Sequence, residues 1–156
     1  MLKLSKNLSL NEFIKSQTAI RLGIDNTPTE EHLDSAVLLA KEIFQPIRDH
    51  FGKPIYVSSG YRCEQLNKAI GGSKQSQHST GEAIDIDMDN RNSASNSDVF
   101  YYIKDNLPFD QLIWEFGDNK CPDWVHVSYS SNGTQRGQVL VSKRNSQGKV
   151  YYWTVK

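Results

Sequence analysis

The sequence predicts a single α+β domain in which helices pack on one side of an antiparallel sheet. Its 156 residues, 37% of them hydrophobic, suffice for one compact domain with a modest core and leave no room for a second sizeable one. Helical patterns come first along the chain, and strand patterns joined mostly by short turns follow, an order typical of an α+β domain. We therefore take residues 1–156 as one domain, with residues 1–28 as an N-terminal helical arm.

Two helical patterns occupy the first third of the chain. In SLNEFIKSQTA, Ser9 stands three residues before Glu12, and this spacing of a capping box predicts a short helix. Residues 30–51 predict a long helix, and Pro46 is expected to kink its last turn. His32 and His50 lie on or near its polar face, and we assign them no function. The apolar face of this helix is predicted from three- and four-residue spacing to comprise Leu33, Val37, Ala40, Phe44 and Ile47.

The middle of the chain alternates between short strands and helices. Residues 55–57 predict a strand, and a helix over about residues 63–70 ends at Gly71 and Gly72, a favoured helix stop. After the polar loop SKQSQ, the segment EAIDIDM alternates so that Asp85 and Asp87 share one face of a strand. The polar stretch RNSASNSD caps a further helix over about residues 98–106, which Pro108 ends.

Four strand patterns complete the chain. They are QLIWEF, WVHVSYS, GQVLVSK and KVYYWTV, and the turn RNSQGK joins the last two. Side chains on a strand repeat every two residues, so Trp124, His126 and Ser128 share one face of the second pattern. Val125 and Val127 share the other face.

Composition and charge exclude several classes of partner. Lysine plus arginine and aspartate plus glutamate number 18 each, so no net field attracts nucleic acid or an anionic membrane. No apolar run reaches the roughly 20 residues that a membrane span needs, and MLKLSKNLSLNEF lacks the apolar run of a signal peptide. We expect a soluble monomer made in the cytoplasm. Cys63 and Cys121 lack CxxC spacing and are expected to be reduced thiols, with a single disulfide as the alternative.

One short segment, SQHSTGEAIDID, carries a candidate metal site. A charged aspartate on a buried strand is unfavourable unless it is paired or binds a metal, and Asp85 stands between two isoleucines. His78, seven residues upstream in a polar loop, can fold back to the same end of the strand, and His126 lies on a strand that can run alongside. These three residues form a two-histidine, one-carboxylate set of the kind that binds catalytic zinc with one position open for water. Such spacing also arises by chance.

Asp123 adds a second functional element to this set. It precedes His126 by three residues, close enough to reach a water on the same metal and act as its base. Taken alone, Asp123 is better explained as a turn residue after Pro122.

With these residues identified, the sequence resembles the zinc D-Ala-D-Ala peptidases, a family of carboxypeptidases and dipeptidases that also includes phage endolysins. The segment SQHSTGEAID, residues 76–85, matches every fixed position of their SxHxxGxAxD motif. Asp123-Trp124-Val125-His126 is similar to their second motif, in which an acid precedes a histidine by three residues. Residues 58–67, SSGYRCEQLN, resemble the segment that supplies their substrate-binding arginine, here Arg62. The N-terminal part resembles that of the short phage and bacterial members.

The resemblance implies one zinc ion per chain, bound by His78, Asp85 and His126, with Asp123 as the base. It also implies a fold shared with the signalling domain of hedgehog proteins, and hydrolysis of peptide bonds in peptidoglycan stem peptides. Aspartate replaces the glutamate that several relatives carry as the base, and either residue accepts a proton. We expect no cell-wall-binding module beside the domain. Because no signal peptide is expected either, action on the wall implies release from the cell or carriage on a virion.

Four further residues have predicted roles, each with an alternative. Arg62 presents a planar fork that suits a terminal carboxylate, although a structural salt bridge at a helix start is the alternative. Ser76 is expected to hydrogen-bond either substrate or loop backbone. Gly81 allows a backbone turn or a close approach to the metal. Glu115, on a neighbouring strand, is expected to orient a ligand histidine, with exposure on the sheet as the alternative.

Two functions of different classes remain open from the sequence. The first is an enzyme, either a carboxypeptidase or an endolysin-like endopeptidase, and the motifs do not distinguish the bond that is cleaved. The second is a non-catalytic binding module of the same fold, in which zinc is structural. The presence of Asp123 favours the enzyme, because a structural zinc site does not require a base.

Overall fold

A computed structural model of the chain describes residues 2–89, 91 and 93–155. The first and last residues of the predicted domain, Met1 and Lys156, lie outside the described residues. The helices are α1 (Leu10–Ile14), α2 (Gln17–Leu22), α3 (Glu30–Leu39), α4 (Gln45–Phe51), α5 (Glu64–Ala69) and α6 (Asn96–Asn106). The strands are β1 (Lys3–Ser5), β2 (Leu8–Ser9), β3 (Val57–Ser59), β4 (Ala83–Ile86), β5 (Gln111–Glu115), β6 (Trp124–Ser128), β7 (Gln138–Arg144) and β8 (Val150–Thr154).

The N-terminal arm begins with the paired strands β1 and β2, and the predicted capping box follows at the start of α1. The Ser9 hydroxyl accepts a hydrogen bond from the Glu12 N–H at 3.1 Å, and the Glu12 carboxylate accepts one from the Ser9 N–H at 3.3 Å. The single predicted helix is nevertheless two helices, α1 and α2. The chain is extended at Lys15, and the Ser16 hydroxyl then caps α2 by accepting from the Ala19 N–H at 3.1 Å. A serine that bonds to the backbone ahead of it favours a new helix start over continuation of the old one.

The long helix predicted over residues 30–51 is present, but its path is interrupted. A π-helical segment, Ala40–Phe44, separates α3 from α4 and lies just before Pro46. Proline lacks an N–H and collides with the carbonyl one turn earlier, and the wider π turn relieves this conflict. The buried stripe also differs from the predicted one, since Val37 is exposed while the neighbouring Ala36 is buried. The buried residues of this helical stretch include Ala36, Leu39, Ala40, Ile43, Phe44 and Ile47.

The main sheet has six strands in the order β3-β4-β6-β5-β7-β8. Four of the five neighbouring pairs are antiparallel, as predicted. The fifth pair, β5 and β7, runs parallel, so the prediction of an antiparallel sheet was wrong at this pair. Two contacts hold the start of β7 beside the start of β5. The buried Asp110 carboxylate binds the Arg136 guanidinium at 2.8 Å, and the Gln138 N–H donates to the Asp110 carbonyl at 3.0 Å. These bonds align the start of β7 with the start of β5, and the sheet is mixed.

The two faces of the sheet differ in chemistry. One face carries buried apolar residues that pack with the helices in a single core: Ile84, Ile86, Leu112, Trp114, Val125, Val127 and Val139. Asp85 and His126 project from the opposite face, because side chains alternate along each strand. The predicted α+β class is therefore confirmed, with the polar face of the sheet left for the site.

Within the described part of the chain, no helix combines the length and hydropathy that crossing a membrane requires. Cys63 and Cys121 are free thiols.

Candidate metal centre

Three side chains that are distant in sequence converge on the polar face of the sheet. The register of β4 and β6 places Asp85 directly opposite His126, and His78 reaches them from the 3₁₀ turn Gln77–Thr80 that precedes β4. Asp85 Oδ1 lies 3.2 Å from His78 Nε2 and 3.0 Å from His126 Nδ1. One ligand atom from each residue lies within 4.8 Å of the others. The structure thus brings together the three residues predicted to bind metal.

The local sequence explains how His78 is delivered to the sheet. The Ser76 hydroxyl accepts a hydrogen bond from the His78 N–H at 3.2 Å and starts the 3₁₀ turn, so Ser76 contacts loop backbone. Gly81 ends the turn with a φ of +78°, a conformation that glycine adopts without strain. A Cβ at Gly81 would collide with the His32 carbonyl oxygen of α3. Of the two predicted roles, the backbone turn is present, and the backbone that Gly81 approaches closely is that of α3.

The orientation of the His78 ring is set by backbone behind it. Nδ1–H of His78 donates to the Gly60 carbonyl at 2.7 Å, which directs Nε2 towards Asp85. Gly60 in turn lies against Phe13 of α1, where a Cβ would collide with the Phe13 carbonyl, and the Tyr61 N–H donates to that carbonyl at 2.8 Å. The N-terminal arm thus supports the position of a predicted metal ligand.

This geometry fits a bound cation. With Nδ1–H committed to Gly60, a neutral His78 ring presents the Nε2 lone pair to the Asp85 carboxylate. Two electron-rich atoms at 3.2 Å repel each other unless a proton or a metal cation lies between them. Two imidazole nitrogens and one carboxylate oxygen also form a donor set that zinc accepts, and ligand histidines are commonly fixed through the other ring nitrogen, as Gly60 fixes His78.

Burial and charge act in opposite directions on Asp85. The side chains of Asp85 and His126 are each 13% exposed, and that of His78 is 2% exposed. Burial by itself would raise the pKa of Asp85, but when the two rings are protonated, the charge of His78, the hydrogen bonds from both histidines and the charge of His126 together hold that pKa well below its usual range. The site therefore contains an ionised carboxylate at neutral pH.

Arg62 lies beside this group without an acidic partner. Its N–H donates to the His78 carbonyl at 3.2 Å, and its side-chain Nε is buried with no hydrogen-bond partner. Among the described residues no ion pair involves Arg62, so the alternative of a structural salt bridge is not observed. Burial lowers the pKa of the guanidinium, and the Asp85 charge opposes this effect. A half-buried guanidinium with an unused, buried Nε donor is suited to an anionic ligand.

Glu115 lies on the same face as the metal group, on the neighbouring strand. Its partners across the sheet are Trp124 on β6 and Ser142 on β7, and only 7% of its surface is exposed. Burial is the main reason that its pKa rises to about 7; the charge of His126 lowers the pKa, that of Asp85 raises it, and a hydrogen bond with Ser142 lowers it. Glu115 is thus buried, and the alternative of an exposed residue on the sheet is wrong. It is close enough to His126 for their charges to interact.

Asp123 occupies the bend immediately before β6. Its N–H donates to the Glu115 carbonyl at 2.8 Å, and its own carbonyl accepts from the Asn96 side chain at 2.9 Å. The side chain is exposed, and its carboxylate is not a member of the three-residue metal group. Asp87 also lies outside that group, since β4 ends at Ile86 and the Asp87 carboxylate accepts hydrogen bonds from Asn96 and the Asp89 N–H.

Two buried asparagines that hold the site together were not predicted. Asn26 donates to the carbonyls of Ile14 and Tyr61 at 2.8 and 2.9 Å and accepts from the Cys63 N–H at 2.8 Å, which ties the N-terminal arm to the loop that carries Arg62. Asn96 donates to the Asp123 carbonyl and accepts from the Met88 N–H at 2.7 Å. Both asparagines stand in polar segments of the sequence that are typical of turns, and nothing local marks them as buried.

Fold and site together define the class: an α+β domain that presents a two-histidine, one-carboxylate group able to hold a metal ion. The family follows from comparison. The family model for peptidase M15 matches residues 6–128, most of the chain, and the chain therefore belongs to the peptidase M15 family, that of the zinc D-Ala-D-Ala carboxypeptidases. A comparison with curated proteins gave no match. The matched region contains His78, Asp85 and His126, whereas β7 and β8 lie beyond it.

Proposed function

We propose that this protein is a zinc metallopeptidase that hydrolyses peptide bonds in peptidoglycan stem peptides. The observation that carries the proposal is the convergence of His78 Nε2, Asp85 Oδ1 and His126 Nδ1 on one face of the sheet, within a chain of the peptidase M15 family. In the proposal these three residues hold one zinc ion per chain. Zinc bound in such a site supplies Lewis-acid polarisation of a peptide carbonyl and lowers the pKa of water to about 7.

The protein's own residues have distinct roles in this reaction. Asp123 is proposed as the general base, which accepts a proton from the attacking water and later returns it to the leaving amine. Its backbone N–H and carbonyl are bonded to Glu115 and Asn96, which holds the residue at the start of β6 with its side chain exposed.

Arg62 is proposed to bind the carboxylate on the carboxyl side of the scissile bond. The support is its buried Nε without a partner, together with its position on the β3 side of Asp85. A bidentate contact with a planar carboxylate would satisfy this donor and fix the substrate relative to the metal group. Glu115, buried on the strand next to that of His126, is proposed as a positioning residue for that ligand, and Ser76 is proposed to act by shaping the His78 turn.

The site of action follows from the substrate. Stem peptides of peptidoglycan lie in the cell wall, so we propose that the protein reaches them after release from the cell or as part of a virion. Carboxypeptidase and endopeptidase activity both fit the site, and product masses distinguish them.

The decisive experiment is mass spectrometry of defined muropeptides incubated with zinc-loaded protein. Wild type should cleave one bond, and His78→Ala should lose both zinc and activity, because two remaining ligands are too few for the open catalytic set. Asp123→Asn should retain zinc and lose about 100- to 10,000-fold in kcat, the usual contribution of general acid-base catalysis. Asp105→Asn, an exposed acid on α6, serves as the control and should behave as wild type.

Two results would change the assignment. Full activity of Asp123→Asn would show that the exposed Asp123 carboxylate is not the general base. If wild type and Asp123→Asn both bind zinc and wall fragments without cleaving any muropeptide, the protein is a binding module of the same fold.

A further inference from the structure

The polar face of the sheet continues past the region that defines the family. The hairpin of β7 and β8 extends the sheet by two strands, and both strands lie beyond the matched residues 6–128. Across these strands Glu115 pairs with Ser142, and Ser142 pairs with Tyr152. Residues paired across neighbouring strands point to the same side. Tyr152 therefore projects from the same face as the metal group, in one row with Glu115.

The Tyr152 side chain faces the metal group. Burial raises the pKa of its phenol, and the charges of Glu115 and then Asp85 raise it further, in agreement with its place on this face. Tyr152 is nonetheless 54% exposed, so it contributes little to the core. An exposed aromatic on an edge strand is also explained by strand propensity alone, and the experiment must distinguish these two roles.

Tyr151 provides the matched comparison on the same strand. It is 44% exposed, and it pairs with Lys143 on the opposite face of the hairpin. There its ring packs against Trp153 with the centroids 5.3 Å apart, and the Lys143 ammonium lies 5.2 Å from the Trp153 ring centroid. The two tyrosines thus share a strand, a similar exposure and a residue type, but only Tyr152 faces the site.

The order of the strands gives the site a direction. Arg62 follows β3 on one side of the metal group, while β8 is the edge strand on the other side. Neighbouring strands lie about 4.8 Å apart, so β8 is about 14 Å from β6, which carries His126. An extended peptide advances about 3.3 Å per residue and covers this distance in about four residues, or in fewer if the Tyr152 ring leans towards the metal group.

We propose that the β7–β8 hairpin forms the far wall of the substrate cleft and that Tyr152 binds the peptide two to four residues to the amino side of the scissile bond. The inference rests on the proposed function, in which Arg62 holds the carboxyl side. The phenol hydroxyl donates a hydrogen bond to a peptide carbonyl, and the ring packs on the peptide plane. Tyr152 is thus a specificity residue that favours peptides over dipeptides.

The test uses peptides that share the bond cleaved by wild type and that grow by one residue at a time on the amino side. Wild-type kcat/KM should rise once the amino side reaches two to four residues. Tyr152→Ala should match wild type on the shortest peptide and lose about five- to tenfold on the longer ones, the size expected for one hydrogen bond and its ring contact. Tyr151→Ala should match wild type at every length.

Two further measurements keep this test decisive. Tyr152→Phe keeps the ring and the strand, so it should fold as wild type and lose about two- to fivefold, again on the long peptides only. A loss that is equal at all lengths, or no loss at any length, overturns the inference, because a merely structural residue would not follow peptide length. Zinc content and thermal unfolding of each variant establish that the site and fold are intact.

Failure of the proposed function is distinguishable from failure of this inference. If wild type cleaves no peptide, the proposed function is wrong, and calorimetric titration of zinc-loaded protein with L-Lys-D-Ala-D-Ala and longer stem peptides decides the inference instead. A weaker affinity of Tyr152→Ala for the longer peptides alone supports it. Equal affinities of wild type and variant, or no binding of any peptide, overturn it.

Discussion

Replacing Glu115 with glutamine is expected to stabilise the metal-free protein at neutral and alkaline pH. Glu115 is 7% exposed, and burial is the largest cause that raises its pKa from the ordinary 4.5 to about 7. In the unfolded chain the carboxyl ionises at its ordinary value, so between these two pKa values the folded state becomes progressively less stable as pH rises. A tenfold change in a proton equilibrium is about 1.4 kcal/mol, and the difference between the two pKa values therefore corresponds to about 3 kcal/mol.

The sign of the effect follows from the same pKa values. Below about pH 4.5 Glu115 is protonated in both states and does not lower the free energy of unfolding. Above about pH 7 it is ionised in both states, and the free energy of unfolding is lowered by the full amount. Glutamine carries no charge at any pH and avoids this cost. The gain in unfolding free energy of Glu115→Gln over wild type should thus grow from near zero at pH 4.5 to about 3 kcal/mol at pH 8.

Urea denaturation of chelator-treated protein at pH 5 and pH 8 measures this difference. Glu64→Gln, an exposed acid on α5, is the control and should change the unfolding free energy by less than about 1 kcal/mol at either pH. Zinc adds positive charge near Glu115 and favours its ionised form, so saturating zinc should reduce the gain. A gain that is the same at both pH values, or a variant less stable than wild type at pH 8, would refute the reasoning.

Two further substitutions test the supports of the site. Arg62→Lys should lower kcat/KM for peptides with a free carboxylate and leave zinc content unchanged, because lysine keeps the charge but loses the bidentate fork; wild-type kinetics on such peptides would contradict the proposed contact. Asn26→Ala should lower the unfolding free energy by about 2 to 4 kcal/mol in urea titrations, because it leaves two carbonyls and the Cys63 N–H without their partner. A loss below about 0.5 kcal/mol would mean that water replaces the amide.

Some elements of this fold could be predicted well because their signals are local. The Ser9 and Glu12 capping box needs only four consecutive residues, and it forms as predicted. Val125 and Val127 point into the core while His126 points away from it, as two-residue alternation requires. The long helix was predicted in extent and in most of its buried face, since Ala40, Phe44 and Ile47 are buried, but Val37 is exposed and the neighbouring Ala36 is buried.

The sequence by itself identified His78, Asp85 and His126 as one set, because a charged residue on an apolar strand requires a partner and the motif spacing matches a known family. Only the tertiary structure decided how these residues meet. The register that sets Asp85 opposite His126, the parallel pairing of β5 with β7 and the Gly60 carbonyl behind His78 all depend on backbone hydrogen bonds. Every residue except proline carries the same backbone donor and acceptor, so the choice of partner and direction leaves no local trace in the sequence.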